Sequence, residues 1–335
     1  MAEPDESLRS PGEVALEPAL PICDPHHHLW ERAGVRYFPA DFLRDTGSGH
    51  NIVSTVAVEC GAFYRRGDRD ELKPVGETEF LESVATRGIS DSRGATSVAA
   101  GIVGHADLTL GDAVAAVLDA HLQCSPSRFR GIRFSTTWDA SGALRNDAPS
   151  GLLSDSRFRR GLACLQRYGL SFDAWLYHPQ LAELADLARA LPEVTIVLDH
   201  IGGPVGVGPY AGIRNEVFQT WREGIAAVAS CHNVAVKLGG FGSERSGFHW
   251  HERAAPPGSA ELAQAMLDYI EFCIERFGVH RCMFESNFPV EKRANSYVAV
   301  WNAFKLVTRG YSAAERQALF HDTAARVYRL ELTAV

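Results

Sequence analysis

Three consecutive histidines, His26, His27 and His28 in PICDPHHHLW (21–30), have the most evident capacity for chemistry in this chain. The residues before them, Pro21, Ile22 and Cys23, read as a short buried strand. Alternate residues of a strand share a face, so Asp24, His26 and His28 project one way and His27 the other. Two imidazoles two residues apart at a strand end can grip one metal ion, and neutral imidazole suits zinc, iron, manganese or nickel. The plain alternative is a polar loop whose histidines have no common task. Further candidates follow along the chain, each at the end of an apolar run: Glu59, His105, Arg133, His178, His200 and Asn287, with Glu285 one pleat deeper than Asn287.

Eight apolar runs would have to position these groups. With residues 21–28 they are Ser54–Cys60, Ser97–Gly104, Phe129–Ser135, Leu170–Tyr177, Val194–His200, Val234–Leu238 and Cys282–Asn287. Longer amphipathic stretches lie between them. The spacing predicts helices over Leu110–Leu122, Asp155–Tyr168, Pro179–Ala190, Asn215–Ser230, Ser259–Phe277, Ala294–Arg309 and Ser312–Arg329. Continuous apolar strands alternating with helices point to a parallel sheet closed into a (β/α)8 TIM barrel. An open doubly wound sheet would place a glycine-rich phosphate loop after its first strand, where this chain has histidines. In a barrel the C-terminal strand ends converge on one site. His26, His28, Glu59, His105, His178, His200 and Asn287 are then brought to one rim, and a metal site is expected there.

The chain has 335 residues with a formal net charge of -8, which disfavours nucleic acid or an anionic membrane surface as a main partner. No stretch is long and apolar enough to span a bilayer. The acidic start lacks the apolar core of a secretory signal, so residues 1–19 read as a mobile tail or an oligomer arm, and 20–335 as one barrel domain. The seven cysteines contain no CxxC pair and read as reduced core residues, which places the protein in a cytoplasm. The segment 241–258, rich in glycine, proline and aromatics, has the composition of an active-site lid. Arg65, Arg66 and Arg69 could meet an anionic substrate tail or balance Asp68, Asp70 and Glu71.

Residues 21–331 resemble the amidohydrolase-related branch of the amidohydrolase superfamily, which includes lactonases and decarboxylases. The resemblance rests on CDPHHHLW, YHPQL (177–181), VLDHIGGP (197–204) and MFESNFPVEK (283–292). It implies a metal site lined by the strand-one HxH, histidines of strands five and six, and a strand-eight Asp. Carried over, these positions are His26, His28, His178, His200 and Asn287. Two departures bear on function. Asn287 stands where the resemblance expects the aspartate that takes a proton from water, and an amide cannot do so at neutral pH. Arg133 stands on strand four where dinuclear relatives carry a carboxylated lysine, leaving Glu59 as the substitute bridge or as an ion-pair partner of an arginine.

In site pattern the chain is similar to a subgroup of that family with dinuclear non-haem iron, hydroxylases of diterpenoid thioesters of the platensimycin/platencin type. The leading expectation is therefore a diiron monooxygenase of secondary metabolism. It would hydroxylate an unactivated C–H of an apolar acyl or carboxylate molecule with O2. Two divalent ions, iron by preference, would be held by His26, His28, Glu59, His178, His200 and Asn287, with His105 as a further catalytic contact. The alternative is a hydrolase or lactonase using zinc or manganese, with Glu59, Glu285 or His105 as a substitute base. A non-catalytic paralogue that partners an active subunit, with a poorly occupied metal site, is the third reading.

Overall fold

The computed structural model describes residues 12–32, 34–87 and 96–330. The chain opens with β1 (Pro21–His27), a short antiparallel hairpin of β2 (Trp30–Arg32) and β3 (Val35–Tyr37), α1 (Pro39–Thr46), β4 (Asn51–Val58) and α2 (Val75–Thr86). It continues with β5 (Ser97–Gly104), α3 (Ala115–Cys124), β6 (Phe129–Ser135), α4 (Ser156–Tyr168), β7 (Ser171–Trp175) and α5 (Leu181–Ala190). Then come β8 (Ile196–Leu198), α6 (Arg214–Ala229), β9 (Val234–Leu238), α7 (Ser259–Phe277), β10 (Cys282–Phe284), α8 (Tyr297–Val307), α9 (Ala313–Gln317) and α10 (Thr323–Val327).

Eight strands form one parallel sheet in the order β1-β4-β5-β6-β7-β8-β9-β10, so all eight apolar runs become barrel strands. The expected closure of the sheet is made between β1 and the residues after β10, at the mouth. His27 and Phe288 form an isolated parallel bridge, the Asn287 N–H donates to the His26 carbonyl at 2.9 Å, and the His28 N–H donates to the Phe288 carbonyl at 2.8 Å. Below that point the gap is spanned by side chains: Asp24 accepts from the Ser286 N–H at 3.0 Å and from the Tyr297 hydroxyl at 2.9 Å. The barrel is thus near-closed, and its seam lies directly under the histidines.

The helices that the apolar spacing predicts are present, several with their first turn tightened into a 3-10 turn. Local chemistry sets some ends: the Asp155 carboxylate accepts from the N–H groups of Arg157 and Phe158, and Gly169 ends α4 in the left-handed region at φ 61°. The apolar spacing misses α1 and α2. The buried face of α2 includes Gly76, Glu77 and Thr78, which interrupt the apolar period. The last predicted helix is split into α9 and α10 by a π turn over Ala318–Asp322.

One apolar core lies between the strands and the surrounding helices. A second fills the barrel, where Val56, Val103, Val197 and Met283 pack against Ala324, Tyr328 and Leu330 of the C-terminal segment. That segment plugs the barrel interior. Of the tail expected over 1–19, residues 1–11 lie outside the described ones. The remainder is strapped down: Leu16 donates its N–H to Asn302 Oδ1 at 2.8 Å, and Lys305 Nζ donates to the carbonyls of Leu16 and Glu17 at 2.7 and 3.0 Å.

Candidate active site

Each inward side chain at the mouth arrives where a strand ends. His26 and His28 leave β1 on the same face, as the pleat requires, and both are buried. His28 Nδ1 lies 2.8 Å from the Val58 carbonyl, which assigns the proton to Nδ1 and leaves Nε2 as a lone pair. That Nε2 stands 3.2 Å from His26 Nε2. Two nitrogens on one tetrahedral zinc at about 2.0–2.1 Å would lie roughly 3.4 Å apart, so the pair already has the separation of two ligands to one ion. His27 points the other way, stacked on Phe42 at 4.0 Å.

His200 reaches the same place from the end of β8, in a left-handed conformation at φ 52°. Its ring lies 4.6 Å from that of His26 and 4.9 Å from Trp175. Glu285, just past β10, is fully buried and joins the two: its Oε1 is 2.6 Å from His200 Nδ1 and its Oε2 2.9 Å from His26 Nδ1. Burial alone would raise the Glu285 pKa, but His200 and His26 outweigh it and hold the carboxylate down to about 2. Among the described residues, His26, His200 and Glu285 are the one group of His, Cys, Asp or Glu side chains near enough to share a metal ion, with ligand atoms within 4.8 Å of one another. Burial, and then the charges of Lys237 and Arg133, keep His26 and His28 well below the usual imidazole pKa. Both are neutral, as ligands must be.

Beneath this group lies a residue that pattern reading passes over. Lys237, on β9, is fully buried with Nζ 2.7 Å from Asp173 Oδ2, 2.9 Å from Asp199 Oδ1 and 3.1 Å from His26 Nδ1. Burial disfavours its charge, yet Asp173, Asp199 and Glu285 prevail and keep it protonated. Neither Asp199 oxygen has a hydrogen-bond donor in line, so its contact with Lys237 is one of charge. Lys237 and Glu285 both address His26 Nδ1, and only one can be served. A metal on His26 Nε2 requires the Nδ1 proton to face Glu285. The sequence signal that could have found Lys237 is a lone lysine inside an apolar run, VAVKL.

Two glycines after β9 leave room for the pair. A Cβ on Gly239 would collide with Glu285 Cγ, and one on Gly240, at φ +79°, would come 2.5 Å from His200 Cβ. Asn287 also faces the seam at φ 53°. Its Nδ2 donates to Glu291 Oε1 at 3.4 Å, while its Oδ1 is buried without any partner. A buried acceptor left without a partner suits a cation or a substrate donor.

The other expected site residues have partners of their own. Glu59 is tied to Arg133, whose Nε is 2.7 Å from Glu59 Oε1 and whose Nη2 donates to the Glu59 carbonyl. Its carboxylate is thus the ion-pair partner of Arg133. His178 Nδ1 accepts from the Val205 N–H at 3.4 Å, and the ring packs on Tyr210 at 5.0 Å. Burial lowers its pKa to about 4. His105 is half-buried with Nδ1 3.3 Å from the Arg133 carbonyl. Of the arginines after β4, Arg65 pairs with Asp68 and Glu79, and Arg69 with Glu71. Segment 241–258 borders a small cavity beside His200, lined also by Trp175, Arg214, Phe241, Phe248 and Tyr269.

The family model described as amidohydrolase matches residues 23–330. Over 333 residues the chain is 36% identical to a Sinorhizobium fredii protein called uncharacterized protein y4mH, covering 93% of this chain and 99% of that one. It is 26% identical over 325 residues to an L-fucono-1,5-lactonase of Burkholderia ambifaria, covering 92% and 95%. A crystal structure of an amidohydrolase from Burkholderia multivorans with bound zinc superposes with a TM-score of 0.71 at 25% identity, covering 92% and 99%. These relatives overturn the expectation of an iron monooxygenase, because their names are those of a lactonase and an amidohydrolase. Both the sequence over 23–330 and the eight-stranded parallel barrel place this chain in the amidohydrolase family.

Proposed function

We propose that the protein is a metal-dependent hydrolase that opens a lactone ring. The observation that carries this reading is the convergence of His26, His28, His200 and Glu285 at the barrel mouth, where Asn287, bonded through its N–H to the His26 carbonyl, keeps a buried Oδ1 without a partner. His26 and His28 are the pair suited to hold one divalent ion through Nε2, and the Asn287 amide oxygen offers a neutral third donor. Zinc, bound by the amidohydrolase from Burkholderia multivorans, is the candidate metal. An ion held there would supply Lewis-acid polarisation of the lactone carbonyl and of the attacking water.

The chain's own residues then account for the proton. With Asn287 in place of an acid and Glu59 occupied by Arg133, His200 is the acceptor that the site offers. Its Nδ1–H is held by Glu285 at 2.6 Å, which leaves Nε2 as the basic atom and orients the ring. In the proposed reaction His200 Nε2 accepts a proton from water as the water oxygen bonds to the lactone carbonyl carbon. The ring C–O bond breaks, and the same proton passes to the departing ring oxygen, giving the open hydroxy acid. Glu285 stabilises the imidazolium formed between the two transfers. The lactonase names of the curated relatives support a sugar lactone as the substrate class.

The test is hydrolysis of a panel of sugar 1,5- and 1,4-lactones by zinc-loaded protein, followed by acid release, with chelated protein as control. No turnover of any lactone by fully loaded protein would refute the proposal. His200→Gln separates the assigned roles: lost turnover with the ion retained supports a base, whereas lost metal would make His200 a ligand.

A further inference from the structure

We propose that Lys237 is a positioning residue: it serves as a built-in cation on the floor of the site and limits the centre to one metal ion on the histidines above. The inference rests on the reading that His26 and His28 hold a metal. Nζ is surrounded by groups from three parts of the barrel, namely Asp173 on β7 at 2.7 Å, Asp199 after β8 at 2.9 Å and His26 on β1 at 3.1 Å. Two fully buried carboxylates facing one point, with Glu285 nearby, would draw a cation from solution. The ammonium, a compact point charge, already stands there. The far side is sealed by Tyr328, whose hydroxyl donates to Asp173 Oδ2 at 2.5 Å and whose ring centre is 5.4 Å from Nζ.

The charges agree with a single ion. Asp173, Asp199 and Glu285 against Lys237 leave an excess of two negative charges under neutral imidazoles, which one divalent ion offsets. A second ion would have to displace the ammonium from both aspartates. Lys237 also occupies the Nδ1 side of His26, so only the Nε2 side, toward His28, is open to metal.

The experiment is a titration of chelator-stripped full-length protein with Co2+, counting ions per chain by elemental analysis and following the d–d absorption of the bound ion. The wild type should saturate at one ion per chain and Lys237→Met at two, with a new absorption band, while Lys237→Arg, which keeps the charge, should return to one. Two ions per wild-type chain would overturn this inference alone. No bound ion in the wild type would overturn the metal-centre reading along with it. Lys237→Met that takes one ion with unchanged affinity would also overturn it. Should Lys237→Met fail to fold by itself, refolding with Co2+ decides the matter. A folded protein holding two ions supports the inference, and no recovery with Co2+ while Lys237→Arg folds normally refutes it.

Discussion

Replacing Glu285 by Gln keeps the side-chain shape and removes the charge that joins His26 to His200. The folded carboxylate titrates at about 2, against an ordinary glutamate value of 4.5. At about 1.4 kcal/mol per pKa unit this corresponds to at most ~3.5 kcal/mol of stabilisation. His26 is itself held neutral and its Nδ1, 2.9 Å from Oε2, has no hydrogen bond in line with it, so the main share is the His200 contact and ~2 kcal/mol is the expected loss at neutral pH. A carboxylate whose folded pKa lies below its unfolded value contributes fully above the unfolded value. That contribution disappears as pH falls through the folded one. The difference between wild type and Glu285→Gln, measured by urea denaturation, should therefore be constant above the ordinary value of 4.5 and shrink as pH approaches about 2. Turnover should fall by more, on the order of 10²–10⁴, because a neutral amide neither enforces the Nδ1–H form of His200 nor stabilises its imidazolium. Equal stability at neutral pH, or lactone turnover within about threefold of wild type (~0.6 kcal/mol), would refute the assignment of Glu285 as the partner of both rings.

Other perturbations separate site from wall. Asn287→Asp places a carboxylate beside Glu291, whose pKa burial has already pushed up to about 7. The added acid should still raise lactone turnover about tenfold or more as a second base, and a fall in turnover with the ion retained would mean that the amide itself contacts substrate. Metal content of His178→Ala and of Glu59→Gln should stay at the wild-type level, and loss of the ion from either would restore that residue as a ligand. Gly240→Ala, which forces a side chain against His200 at φ +79°, should cost about 1–3 kcal/mol in denaturant midpoint analysis and most of the turnover. An unaffected enzyme would mean that the β9 turn yields easily.

The barrel was legible in the sequence because a buried parallel strand must be apolar on both faces, and eight such runs with helices between them leave few architectures. The pairing of His26 with His28 was equally legible, since the two-residue pleat alone puts both on one face. The helices α1 and α2 escaped because their buried faces carry polar and small residues that break the period. Which strand-end groups actually meet depended on the tertiary structure. His178 and Glu59 end their strands as His200 does, yet the Val205 N–H and the Arg133 guanidinium, both distant in sequence, claim them. Lys237 is the converse case. In VAVKL it is one charge in an apolar run, and only the closing of β7, β8 and β1 around it brings two aspartates and His26 within 3.1 Å. Periodicity assigns a side chain to a face. Its partner is decided by distances between strands, over which a buried charge must find its counter-charge or the fold does not form.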